Sequence, residues 1–176
     1  MAILSTFEGV VLKKFSLLEM SQSVTVFTKE MGKVHLMLKG AKKITSRRAA
    51  HVQTGNLIGI QASLHVSGSW YVNSTSLRSG FSVLKESEHR IRVLYNMLLV
   101  LDRLLPLEQS EPFVYSQFIR ALIHLNNLDS EHDTALFSFV EDLYEMLGYG
   151  QQTVSTYEDL QTILSNSANE RVRLYI

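Results

Sequence analysis

The hydrophobic period of this chain changes once, near Phe81. Before that point, short runs rich in Val, Ile, Phe and Thr occupy Phe7–Lys14, Ser23–Lys29, Lys33–Lys39, Leu57–Val66 and Ser69–Leu77, with the length and composition of β-strands. Met31-Gly32 between the second and third runs, and Ser67-Gly68 between the fourth and fifth, are short enough to turn antiparallel hairpins. Five strands linked in this way make a small barrel or sandwich. After Phe81, residues Ile91, Leu94, Tyr95, Leu98, Leu99 and Leu105 follow a 3.6-residue spacing that predicts a helix from Glu88 to Leu105. Ser110-Glu111-Pro112 offers a cap and an early-turn proline to a second helix, and Asp133 precedes a third that Gly148 can stop. Thr156-Tyr157-Glu158-Asp159 has the form of a capping box opening a fourth. The expected class is α+β, with a β-domain over 1–80 and a small all-α domain over 81–176.

Charge divides at the same place. Residues 1–80 carry ten Lys and Arg against three Glu, a balance of +7, whereas residues 81–176 carry seven against fourteen, a balance of −7. A positive domain concentrates polyanions around itself and an acidic one repels them, so nucleic acid is the expected partner of the first half. With no cysteine, the chain cannot form disulfides, thiolate zinc sites or cysteine-ligated clusters. The apolar run Met97–Leu101 is closed by Asp102, far short of the roughly 20 residues a membrane span needs, and Met1–Glu8 lacks the pattern of a secretory signal. A cytoplasmic protein without membrane contact is expected.

The order of motifs is more specific than any one of them. Glu8-Gly-Val-Val-Leu-Lys-Lys14, Val24-Thr-Val-Phe-Thr-Lys-Glu-Met-Gly-Lys33 and Leu38-Lys-Gly-Ala-Lys-Lys43 with Ser46-Arg-Arg48 resemble the N-terminal domain of the RecO recombination mediators. Leu99-Val-Leu-Asp-Arg-Leu-Leu-Pro106 and Leu147-Gly-Tyr-Gly150 resemble that family's helical domain, in the family's order. The resemblance implies a five-stranded OB-fold β-barrel followed by helices. It further implies a non-catalytic DNA repair protein that binds single- and double-stranded DNA, anneals complementary strands, and helps load RecA together with RecR and SSB. Many members place paired cysteines of a zinc module after the segment matching Leu147–Gly150; here Gln151-Gln-Thr-Val154 stands there, so neither metal nor other cofactor is expected.

An OB-fold holds single strands by tracking phosphates with cations and stacking bases on aromatic rings. Lys33, Lys39, Lys42, Lys43, Arg47 and Arg48 surround the loop between the third and fourth strands, and no acid occurs from Met31 to Arg78; these six are the expected DNA-binding residues. The competing reading is a solvated charged loop. Of Trp70 and Tyr71, adjacent on one strand, one faces outward and one inward, while Phe15 and Phe27 read as core. The six histidines are scattered without a metal-ligand spacing, and no catalytic motif appears. In the helical domain, Phe113, Phe118, Phe137 or Phe139 could anchor an apolar, acidic peptide such as the SSB C-terminal tail, provided that Arg90, Arg92, Arg103 or Arg120 stood near; the alternative places all four rings in the core. A shortened RecO-like interaction adaptor with weak DNA binding is the alternative function.

Overall fold

A computed structural model describes residues 3–16, 21–39 and 50–175. Five strands, β1 (Ile3–Ser16), β2 (Gln22–Thr28), β3 (Gly32–Leu38), β4 (Leu57–Leu64) and β5 (Trp70–Ser79), close into a barrel in the order β1-β2-β3-β5-β4. All pairings are antiparallel except the short parallel contact of Leu36 and Met37 on β3 with Trp70 and Tyr71 on β5, which closes the ring. This is the OB-type α+β arrangement expected.

β1 is longer than its sequence run because it serves two partners. Residues 3–10 pair with β4 and residues 9–16 with β2, and an irregularity between Val11 and Lys13 bends the strand from one to the other. Gly9 stands in both registers; a Cβ there would lie 2.6 Å from the Phe27 carbonyl oxygen, so only glycine fits this crossing. Inward side chains such as Val26, Val34, Leu36, Ile58, Ile60 and Ala62 fill the barrel. Phe27 is fully buried, but Phe15 is exposed, so the expectation of two core phenylalanines holds for one: Phe15 lies near the free end of β1, outside the packed ring.

By contact the chain forms two compact units, residues 1–80 with 106–112, and 81–105 with 113–176. The second contains a short 3-10 helix (Ser82–Lys85), α1 (Glu88–Leu104), α2 (Pro112–Asn127), α3 (His132–Met146) and α4 (Tyr157–Ala168). α1 is its axis: Val93, Leu94, Met97, Leu98, Val100 and Leu101 are buried, more than one face of a peripheral helix would cover. Ser87 caps α1 by accepting from the Arg90 N–H, and Pro112 takes the first position of α2, where its missing N–H is harmless. The capping box on α4 is present, Thr156 accepting from the Asp159 N–H and Asp159 accepting from the Thr156 N–H. α3 starts one residue before Asp133, whose carboxylate accepts the Tyr157 hydroxyl instead of capping. Among the described residues, no helix is long and apolar enough to cross a membrane.

Candidate nucleic-acid interface

The barrel's outer face gathers a cation and two rings. On β5, Trp70 points inward and stands edge-on to Phe7, ring centroids 6.2 Å apart, while Tyr71 points outward. The parallel pairing sets Met37 of β3 opposite Tyr71, so Lys39, two residues on and on the same face, reaches across it. Its Nζ lies 4.5 Å from the Tyr71 ring centroid, a cation–π distance. His65, in the turn between β4 and β5, meets the same ring edge-on at 5.7 Å.

The turn fixes the histidine. His65 donates its N–H to the Ser69 carbonyl at 2.9 Å, and Gly68 returns a bond to the His65 carbonyl at 2.9 Å. The Ser67 N–H donates to His65 Nδ1 at 3.3 Å. Beside these rings, Asn73 donates to the Ser63 hydroxyl at 2.6 Å. Asn73 is the extra residue where the β4–β5 register shifts between Gln61 and Ala62, the kind of bulge that re-aims a side chain. Lys39, Ser63, His65, Tyr71 and Asn73 surround a cleft of about 240 Å³, open on one side. A flat ring with a cation above it, next to hydrogen-bonding side chains, can take a nucleobase on the ring and a phosphate on the ammonium. A second such pair stands on β1, where Lys13 Nζ lies 5.4 Å from the exposed Phe15 ring.

Of the basic residues expected to bind DNA, Lys39 is exposed and central to this cleft. Lys42, Lys43, Arg47 and Arg48 lie outside the described residues. Lys33 does not join the group. It faces outward on β3 but is only 8% exposed, because residues 106–112 run across it, Leu107 bridging to Lys33 and Glu108 donating its N–H to the Lys33 carbonyl at 2.8 Å. His65, Ser63 and Asn73 were not singled out in the sequence; they come together only through the β4–β5 pairing, and a histidine two residues before a Ser-Gly turn is the one local sign of them.

The four helical-unit phenylalanines divide. Phe118 and Phe139 are buried against each other, centroids 6.1 Å apart, and Phe137 is half-buried on Tyr157 at 5.2 Å. Phe113 alone of the four is open, 63% exposed. The arginines are mostly engaged: Arg90 with Glu86 at 3.5 Å, Arg103 with Glu170, and Arg92 with His89 Nδ1 at 2.8 Å and over the Tyr157 ring.

Residues 1–79 match the family described as "Recombination protein O N terminal". The chain is 28% identical over 148 residues to the DNA repair protein RecO of Oceanobacillus iheyensis, an alignment covering 84% of this chain and 56% of that relative. It thus spans little more than half the relative's length.

Proposed function

We propose that the chain is a RecO-family protein that binds single-stranded DNA and anneals complementary strands in DNA repair and recombination, without making or breaking covalent bonds. The observation that carries this reading is the Lys39 ammonium held 4.5 Å over an outward Tyr71 ring, with His65 at the ring's edge, on an OB-type barrel whose domain is charged +7. Bases stack on Tyr71, while Lys39, Lys42, Lys43, Arg47 and Arg48 hold phosphates. Duplex DNA meets the same cations through its backbone alone. In the cell, the reading includes RecR and SSB as partners in loading RecA.

Binding and annealing are tested together. Five phosphate contacts give a slope of log affinity against log salt of about −3.5 on single strands, from roughly −0.7 per contact. Replacing Lys42, Lys43, Arg47 and Arg48 with Ala flattens it by roughly 3 on the same rule. An unchanged slope moves the phosphate track elsewhere. Absence of annealing by protein that binds its partners favours the adaptor alternative.

A further inference from the structure

A groove of about 640 Å³ lies between α2 and α3 in the helical unit. Its floor is apolar and shallow: Ala121, Ala135, Leu128, Phe139 and Met146 line it, and the two alanines end at Cβ. Phe113 stands at the α2 end of the groove with most of its ring in solvent. The rim is acidic. Glu131, Asp142 and Glu145 border it, all exposed, and none of the three is in an ion pair among the described residues. Arg120 is the one arginine or lysine among the lining residues, and residues 81–176 add a balance of −7 behind it.

We propose that this groove docks a protein segment that forms an amphipathic helix, apolar on the face it buries and basic along its edges. A helix laid between two others presents anchors at i, i+3 or i+4 and i+7, and a floor that stops at alanine admits them without moving α2 or α3. The volume falls within the roughly 300–1,000 Å³ of natural ligand grooves. The sign of the partner follows from the rim. Lys or Arg at the helix edges meets three carboxylates and is drawn by the domain's field, whereas an acidic peptide brings like charges against them and finds Arg120 alone. The same argument turns nucleic acid away. An acidic tail of the kind expected for SSB is therefore not the occupant of this groove, and any contact with it falls on another surface.

The test uses the full chain and two fluorescent synthetic helices with one shared apolar face, one flanked by Lys and Arg and the other by Glu. At low salt the basic peptide binds saturably and the acidic one at least tenfold more weakly, and added salt weakens the basic complex. The pair Asp142→Lys with Glu145→Lys, both exposed and free of core contacts, lowers the affinity for the basic peptide roughly tenfold, as expected for two rim charges reversed. Ala135→Trp fills the floor and abolishes binding; thermal melts identify any variant that has lost its fold, and the charge-reversal pair then decides. Equal binding of both peptides, tighter binding of the acidic one, no binding of the basic one at low salt, or indifference to the charge reversals overturns the proposal. Single-strand DNA affinity, measured on the charge-neutral Ala135→Trp variant, reports the barrel separately and stays unchanged.

Discussion

Asn96 and Tyr175 are joined by two hydrogen bonds: the Asn96 amide nitrogen donates to the Tyr175 carbonyl at 2.9 Å, and the Tyr175 N–H donates to the Asn96 carbonyl oxygen at 2.8 Å. The side-chain amide thereby imitates a strand partner for residue 175, from a position on α1 that is fully buried. Tyr95 adds its ring edge-on to Tyr175 at 5.4 Å. Asn96→Ala leaves a backbone donor and an acceptor without partners, which costs about 1–3 kcal/mol. Urea unfolding of the full chain should show that loss, with single-strand DNA affinity unchanged.

Gly32 makes a different kind of contact. Its φ is +68°, and a Cβ there would stand 1.8 Å from the Gln109 carbonyl oxygen, a clash no side-chain movement relieves. Gly32→Ala therefore adds left-handed strain of roughly 1–2 kcal/mol and pushes residues 106–112 off β3. Limited proteolysis should cut that segment faster in the variant, and Lys33 should become reactive to acylating reagents. Unchanged cleavage would show that the segment is held by something other than this contact.

These two contacts mark where sequence reading stops. The barrel was legible because each strand declares itself within ten residues, and the capping box Thr156–Asp159 because both partners lie in one helical turn. Lys33 looked like an outward cation, and by strand alternation it is one. What covers it comes from 75 residues further along the chain, a distance over which no local pattern carries information. The same limit hid the cleft: Tyr71 and Lys39 were visible as residue types, but the β3–β5 pairing that lays one over the other, and the bulge that turns Asn73 toward Ser63, are tertiary. Asp133 lies inside the first turn of α3 rather than before it, and its carboxylate accepts from Tyr157, 24 residues further on, a partner no local pattern announces.

Tyr71 and Lys39 should separate in their effects on DNA. Removing a stacking ring costs about 1–3 kcal/mol per base, so Tyr71→Ala lowers single-strand affinity roughly 5- to 150-fold with the salt slope unchanged. Tyr71→Phe keeps the ring and nearly all the affinity. Lys39→Ala instead flattens the slope by about 0.7, the share of one phosphate. Fluorescence anisotropy across a salt series distinguishes the two; a Tyr71→Ala protein that binds as the parent does would remove the ring from the interface.

His132 gives the helical unit a pH dependence. It is 4% exposed, and its Nε2 is buried with no hydrogen-bond partner among the described residues. Burial is the main cause that holds its pKa below the ordinary histidine value; the Arg90 charge and neighbouring His89 push the same way, against Asp133 and a hydrogen bond with the Leu125 backbone. The folded chain thus keeps the ring neutral at a pH where the unfolded chain, with a pKa of about 6.5, has begun to take up a proton. In that window the unfolded state binds more protons, so stability is complete above about pH 6.5 and declines as pH falls toward the lower folded value. Urea midpoints measured between pH 7.5 and 5 should fall accordingly. His132→Leu, which keeps the volume and removes the titrating nitrogen, should flatten the profile even where it lowers the midpoint as a whole. A variant whose midpoint still drops as steeply below pH 6.5 would assign the dependence to another group.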